Sequence, residues 1–195
     1  MRIAFAGLGV MGAPMARHLI AAGHAVAGYN RSPDKARAWA AAHGGRFAAT
    51  VAEAAEGAEL FILCVGNDDD VRQVVAEALP HLAEGAVIVD HTTTSAKVAR
   101  EMAEQAAQRG VAFIDAPVSG GQAGAENGQL SVMAGGDADA LARIEPVLRA
   151  YAKAVQHMGP AGAGAHLNMG GHRSITAGGE GLARRGELPP HGGLG

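Results

Sequence analysis

The sequence predicts an α/β protein with a doubly wound, mostly parallel sheet. Apolar runs of strand length alternate with segments of helical periodicity, a glycine-rich turn follows the first strand, and the later strands are continuously apolar. Continuous apolar strands are typical of parallel sheets covered by helices on both faces. Repeated β-α units favour right-handed crossovers. At 195 residues, 48% of them hydrophobic, the chain can bury the core of a single domain.

The predicted elements alternate along residues 1–164, followed by an irregular segment over 165–195. Strands are expected at residues 3–6, 25–29, 46–49, 60–65, 86–90, 111–115, 130–134 and 154–158. Helices are expected at residues 10–22, 33–42, 51 onward, 71–78, 95–109 and 138–150.

Capping residues support several of the helix starts. Ser32 followed by Pro33 is typical of an N-cap and a first helical position. Thr50 and Glu53 have the spacing of a capping box. The acidic triplet at 68–70 is expected to cap the next helix rather than to bind a metal, because carboxylates are favourable at helix N-termini.

The turn after the first strand carries glycines in the spacing G-x-G-x-x-G. In a β-α-β unit, Gly7 would make the tight turn, Gly9 would let the backbone approach a pyrophosphate, and Gly12 would let the helix pack on the strand. The unpaired N–H groups of the helix start favour an anion there. The alternative is an ordinary strand–turn–helix connection, but a following strand of the right length favours a Rossmann-like dinucleotide site. Its candidate residues are Gly7, Leu8, Gly9, Val10, Met11 and Gly12.

The end of the second strand indicates which dinucleotide is bound. An NAD site usually places Asp or Glu there to hold the ribose 2′-hydroxyl. This chain has Asn30, Arg31 and Ser32 there, with Lys35 one helical turn further on, so no carboxylate is expected at the site to repel a 2′-phosphate. The fork of donors of Arg31 can bind such a phosphate. The sequence therefore predicts NADP (NADPH), the alternative being that Arg31 and Lys35 are solvated charges.

Composition argues against several other functions. A net charge of −3 gives no electrostatic case for nucleic acid or an anionic membrane as partner. No apolar stretch reaches membrane-spanning length, and a strand starting at residue 2 leaves no room for a signal peptide. The single cysteine, Cys64, is expected to be a buried apolar side chain in a reducing, cytoplasmic compartment. The nine histidines lack the spacing of metal ligands.

The loops at the carboxyl ends of the strands are where a ligand is expected in such a sheet. Hydroxyls that could contact a nicotinamide amide stand in the run Thr92, Thr93, Thr94 and Ser95, although Thr94 or Ser95 could equally be only an N-cap. In the expected loop 116–128, Ser119 precedes Gly120 and Gly121. A hydroxyl and backbone N–H groups in one turn can hold a small carboxylate, although such a tripeptide is also common in flexible loops.

Three segments, GLGVMGAPMARHL, GHAVAGYNRS and DAPVSGGQAGAENGQLSVMAGG, closely resemble the β-hydroxyacid dehydrogenases. The resemblance covers roughly residues 1–165 and implies an NADP-dependent oxidoreductase acting on a small semialdehyde, 2-oxo acid or 3-hydroxy acid. By this resemblance residues 7–12 would hold the pyrophosphate, and Asn30, Arg31, Ser32 and Lys35 would surround the 2′-phosphate. Val65 and Gly66 would line the path to the nicotinamide, and Thr93 would contact it. Ser119, Gly120 and Gly121 would bind the carboxylate of a small carboxylic-acid substrate.

The family's third motif, G-x-x-G-x-G-x-x-x-K, is incomplete. Gly159, Gly162 and Gly164 match its glycines, but Asn168 stands where the resemblance implies the catalytic lysine. Asparagine cannot act as an ammonium acid, and general acid catalysis is typically worth about 10²–10⁴-fold. The function expected is therefore an impaired oxidoreductase, or alternatively an NADP-binding module without turnover. An imine reductase would tolerate loss of the lysine, but the Ser119–Gly121 turn argues against it.

The composition changes after residue 165. Residues 166–195 contain 9 glycines in 30 residues, where the resemblance implies a long helix leading into a helical domain. Glycine at this density opposes helix formation. A disordered or loosely attached tail is therefore expected, with the helical domain absent and homo-oligomerisation undecided. One hypothesis for the change is a shifted reading frame, which resequencing of codons 165–172 would test.

Overall fold

The computed structural model of the chain describes residues 1–168. Its strands are β1 Arg2–Ala6, β2 Ala25–Tyr29, β3 Arg46–Phe47, β4 Leu60–Leu63, β5 Val87–Asp90, β6 Ala112–Asp115, β7 Val118–Ser119, β8 Leu130–Gly135 and β9 Ala152–Gly159. Its helices are α1 Gly12–Ala21, α2 Pro33–His43, α3 Val51–Ala55, α4 Asp68–Ala78, α5 Ala96–Ala107, α6 Gly121–Glu126 and α7 Ala138–Leu148. A 3₁₀ turn, Leu79–His81, follows α4, and residues 163–168 are also helical.

The strands form one sheet in the order β3-β2-β1-β4-β5-β6-β8-β7, with β9 paired to β8. Neighbours from β3 to β6 are parallel, whereas β8 is antiparallel to both β6 and β7. The order 3-2-1-4-5-6 is that of a Rossmann fold, in which the strand order reverses next to β1. The predicted doubly wound, mostly parallel sheet is confirmed.

Helices cover both faces of this sheet. Along β1, Ile3 and Phe5 belong to one buried cluster and Ala4 and Ala6 to the other, as the two-residue period of a strand requires. Helices α1, α2 and α7 pack in the first cluster, and α3, α4 and α5 pack in the second. Burial on both faces explains why the central strands have no polar alternation.

One predicted loop is wrong. Residues 116–128 were expected to lack secondary structure, but they contain β7 and the six-residue helix α6. Glycine at 120, 121, 124 and 128 lowers the intrinsic helix propensity of this segment. Packing of α6 against α1 and β8 overrides that propensity, which the sequence pattern does not reveal.

Two of the predicted caps differ in detail. The N-cap of α4 is Asn67, whose side chain accepts from the N–H of Asp70 at 2.9 Å, so the acidic triplet occupies the first turn instead. Thr50 does cap α3, because its hydroxyl accepts from the N–H of Glu53 at 3.1 Å. The Glu53 carboxylate accepts from the N–H of Ala49, one residue before the expected partner.

The irregular segment was predicted to start at residue 165, but residues 163–168 are helical. The rest of that segment, residues 169–195, lies outside the described residues. Within residues 1–168, no helix combines the length and apolar character needed to cross a membrane. The same part of the chain holds no group of three or more His, Cys, Asp or Glu side chains placed to bind a metal ion.

Candidate functional site

The glycine turn between β1 and α1 is held tightly by the protein on two sides. Gly7 has φ 97°, and a Cβ there would lie 2.0 Å from the carbonyl oxygen of Cys64. A Cβ on Gly12 would lie 1.8 Å from the carbonyl oxygen of Gly7. Neither position can accept a side chain without a backbone shift, so these two glycines shape the turn itself.

Gly9 is different, because a Cβ built on it has no described atom within 4 Å other than those of Gly9 and its two chain neighbours. No hydrogen bond within residues 1–168 uses the N–H groups of residues 9–12, which lead into α1. Val10, beside them, is 67% exposed. The turn therefore presents unpaired N–H donors to open space, at the positive end of a helix dipole.

A groove of about 790 Å³ runs from this turn along the carboxyl ends of β2 and β4. It brings together eight of the predicted residues: Gly7, Gly9, Asn30, Arg31, Ser32, Lys35, Val65 and Gly66. Seven residues that sequence reasoning did not assign to the site also line it: Tyr29, Val51, Cys64, Asp70, Gln73, Val74 and Glu77. The size is within the range of small-molecule and cofactor sites.

The remaining predicted residues lie elsewhere. Leu8 and Gly12 are buried beneath the turn, and Met11 is half-buried. Thr93, Ser119, Gly120 and Gly121 are exposed at the carboxyl ends of β5 and β7, outside the lining of the groove.

Asn30 braces the glycine turn. Its side-chain oxygen accepts from the N–H of Leu8 at 3.0 Å, and its amide nitrogen donates to the carbonyl of Ser32 at 3.2 Å. Asn30 thus ties the turn after β1 to the turn after β2. An amide side chain suits both contacts, because its oxygen can accept from Leu8 while its nitrogen donates to Ser32.

A carboxylate faces Arg31, contrary to the expectation of a carboxylate-free 2′-phosphate site. The guanidinium of Arg31 donates to Asp70 at 2.7 Å. Asp70 lies on α4, 39 residues further along the chain. The residues that follow β2 do not reveal this contact, because it depends on β1 lying between β2 and β4.

Cys64 is half-buried: it packs against the hydrophobic core and also lines the groove, a second role that the sequence did not predict. Burial, and to a smaller degree the nearby Asp90, raise the pKa of its thiol to about 12. The side chain is therefore a neutral, weakly polar part of the wall under neutral conditions.

The end of β5 holds polar side chains that are buried rather than available to a ligand. The hydroxyl of Thr92 accepts from the N–H of Val65 at 3.0 Å, which joins the ends of β4 and β5. Ser95 caps α5 through the N–H of Val98, which resolves its predicted alternatives in favour of a cap. Of this run, Thr93 is the exposed member.

Asp90 and His91 are two buried polar residues at the end of β5 that the sequence patterns did not single out. Burial raises the pKa of Asp90 to about 7 and lowers the pKa of His91 to about 4. The His91 ring lies 2.6 Å from the carbonyl oxygen of Ala116 and 2.7 Å from the Tyr151 hydroxyl. These contacts hold the start of the 116–121 segment against the sheet.

Asp115, at the end of β6, binds the glycine-rich segment 159–164. Its two carboxylate oxygens accept from the N–H of Gly162 at 2.8 Å and the N–H of Ala165 at 2.9 Å. Burial outweighs these hydrogen bonds and raises the pKa of Asp115. The carboxylate thereby holds the start of the helical segment 163–168, on which Asn168 lies.

The fold, the open glycine turn and the groove beside it define a dinucleotide-binding α/β domain. Residues 2–159 match the family model described as the NAD binding domain of 6-phosphogluconate dehydrogenase. The chain belongs to this family of NAD(P)-binding domains. Its relatives include proteins described as 3-hydroxyisobutyrate dehydrogenases.

Three relatives illustrate the similarity. A Shewanella frigidimarina protein, described as an uncharacterized oxidoreductase, is 49% identical over 185 residues, which are 93% of this chain and 64% of that protein. The structure of Mycobacterium tuberculosis 3-hydroxyisobutyrate dehydrogenase with L-serine is 38% identical with a TM-score of 0.86, over 89% of this chain and 59% of that one. The structure of Psf3 with NADP⁺ and 2-OPP is 27% identical with a TM-score of 0.81, over 90% of this chain and 67% of that one. The chain therefore spans less than two thirds of the length of the first two.

Proposed function

We propose that the chain binds NADP(H) as the cofactor domain of an oxidoreductase of the β-hydroxyacid dehydrogenase type. The observation that carries this proposal is the open space at Gly9, which adjoins both unpaired N–H groups and the groove. No contact within the described protein requires glycine at this position. A pyrophosphate approaching the backbone there does require it.

The residues of the groove and of the adjoining turn, with Thr93 beyond the lining, would fit the cofactor. The N–H groups of residues 9–12 would hold the pyrophosphate, and Asn30 keeps the turn in place for it. Val65 and Gly66 would lie along the path from the adenosine to the nicotinamide, with Thr93 near the nicotinamide end. NADPH, when bound, supplies the hydride for reduction of a carbonyl group.

Arg31 and Lys35 favour NADP over NAD. Both line the groove, and Arg31 is 80% exposed and so accessible to a phosphate. The guanidinium can form two parallel hydrogen bonds to phosphate oxygens. The solved structure of Psf3 with NADP⁺ lends support from a relative.

The proposed substrate is a small carboxylic acid with a carbonyl or hydroxyl group. Ser119, Gly120 and Gly121 are exposed where β7 meets α6. Apart from its chain neighbours and the backbone of α6, no described atom lies within 4 Å of a Cβ built on Gly121. A serine hydroxyl and open backbone N–H groups can hold a carboxylate. The presence of L-serine in the dehydrogenase structure from Mycobacterium tuberculosis agrees with a small substrate of this chemistry.

Replacing Arg31 with alanine should weaken NADPH binding roughly tenfold, because charge-assisted hydrogen bonds to the 2′-phosphate are worth about 1.5–3 kcal/mol each. NADH binding should change much less. Fluorescence titration of both nucleotides measures the two affinities directly. Arg17→Ala is a matched control, because Arg17 donates to the carbonyl of Glu126 at 3.0 Å and does not line the groove. Equal losses for NADPH and NADH in the Arg31 variant would contradict the assignment.

A binding module without turnover is the second candidate function, and the observation that favours it is Asn168. General acid catalysis is worth about 10²–10⁴-fold. We therefore expect Asn168→Lys to raise NADPH oxidation with glyoxylate, succinic semialdehyde or tartronate semialdehyde by about 10²-fold or more. Asn168→Gln is the control, since it lengthens the side chain without adding an ammonium group. NADPH binding with no oxidation in any of the three proteins would establish the module instead.

A further inference from the structure

The ion pair between Arg31 and Asp70 forms part of the lining of the groove. Arg31 is 80% exposed, whereas Asp70 is only 18% exposed and lies against the groove wall. A Cβ built on Gly66 would lie 2.6 Å from one Asp70 carboxylate oxygen. The carboxylate is thus held between the loop after β4 and the guanidinium that follows β2.

Asp70 is the only member of its acidic triplet that takes part in the groove, as far as residues 1–168 show. Asp68 accepts from the hydroxyl of Ser95 at 2.6 Å and from its N–H at 3.0 Å. Asp69 is 91% exposed and pairs with Arg72 at 2.9 Å. Three successive carboxylates of one helical turn therefore have three different partners.

Asp70 is placed where it can affect binding of the adenosine ribose both with and without a 2′-phosphate. A carboxylate beside Arg31 opposes a phosphate group by charge repulsion and can accept a hydrogen bond from a ribose hydroxyl. While it pairs with Asp70, the Arg31 guanidinium has fewer donors free for a phosphate. A 2′-phosphate would therefore compete with Asp70 for the donors of Arg31.

We propose that Asp70 is a specificity-determining residue that limits the preference of this site for the 2′-phosphorylated nucleotide. It does so by competing with the 2′-phosphate for Arg31 and by accepting from the 2′-hydroxyl of the unphosphorylated ribose. This inference rests on the proposed function, since it concerns the same nucleotide groove. Asp70 would thus be a residue of α4 that affects the selectivity between NADP and NAD, which is otherwise assigned to the segment after β2.

The test compares 2′,5′-ADP with 5′-AMP, because the two ligands differ only in the 2′-phosphate and require no turnover. Titration calorimetry of Asp70→Asn should show the affinity ratio of 2′,5′-ADP to 5′-AMP rising roughly fivefold or more over the unmodified chain. Asp69→Asn removes the same charge from the same helical turn outside the groove, and should leave the ratio within about twofold. Thermal melting of both variants checks that the fold is intact.

A second comparison tests whether Asp70 acts through Arg31. In an Arg31→Ala background, Asp70→Asn should change the ratio by less than half as much as it does alone, because the competing guanidinium is gone. If Asp70→Asn changed the affinity ratio equally with and without Arg31, competition for Arg31 would be ruled out. A change in the ratio from Asp69→Asn equal to that from Asp70→Asn would overturn the proposal as well. If the unmodified chain binds both ligands and Asp70→Asn leaves the affinity ratio unchanged, the role of Asp70 is disproved while the proposed function stands. If it binds neither ligand, the proposed function fails as well.

Discussion

Replacing Gly12 with alanine is expected to lower the free energy of unfolding by about 3 kcal/mol or more, enough to leave a marginally stable domain largely unfolded. The new Cβ would lie 1.8 Å from the carbonyl oxygen of Gly7 and 3.1 Å from the Phe5 ring. The first of these neighbours is backbone and cannot rotate away. Urea denaturation followed by circular dichroism measures the loss.

Gly9→Ala is the matched control within the same turn. Because nothing lies within 4 Å of its Cβ, the variant should match the unmodified chain in stability to within about 1 kcal/mol. It should nevertheless lose NADPH affinity by roughly tenfold or more, because the methyl group occupies the space of the pyrophosphate. Unchanged NADPH binding in Gly9→Ala would contradict the proposed pyrophosphate site, and a fully stable Gly12→Ala variant would contradict the packing argument.

Replacing Asp115 with alanine is the second change with a large expected effect. It removes both acceptors of the Gly162 and Ala165 N–H groups, at a site where burial leaves few alternatives. Hydrogen bonds to charged groups contribute about 1.5–3 kcal/mol each, so a loss of about 3 kcal/mol in the free energy of unfolding is expected. Amide hydrogen exchange should show loss of protection at residues 162 and 165 in particular.

Asp137→Ala is the control for the Asp115 experiment. Asp137 caps α7 by accepting from the N–H of Ala140 at 2.9 Å, so its replacement should cost only about 1 kcal/mol. Asp115→Asn should not restore stability, because its amide NH₂ group would face an N–H donor. If Asp115→Ala were no more destabilising than Asp137→Ala, Asp115 would not hold the 159–165 segment in place.

The sheet and most of its helices could be predicted because the governing signals are local. Strand and helix periodicity, the glycine spacing and the Thr50 cap all depend on residues a few positions apart. The segment that forms β7 and α6 was missed for the opposite reason. Its glycines favour a loop, and only contacts with β8 and α1 stabilise the helix.

The groove shows the same division. The glycine turn and the Asn30–Lys35 segment were predicted from short motifs, and the structure brings both to one groove. Asp70 and Cys64 were missed as lining residues, because no local spacing links them to Arg31 or Gly7. The contact of Asn30 with Leu8 also joins residues 22 positions apart.

The sequence by itself determined the class of the fold, the family resemblance and the location of the glycine turn, because each is encoded in residues close together along the chain. The tertiary structure alone decided which charges meet. A doubly wound sheet places β2 and β4 on either side of β1, so that Arg31 and Asp70 meet, and it places β6 so that Asp115 reaches the 159–165 segment. Electrostatic and hydrogen-bonding partners depend on distance in space, and the strand order that sets those distances is a property of the whole folded chain.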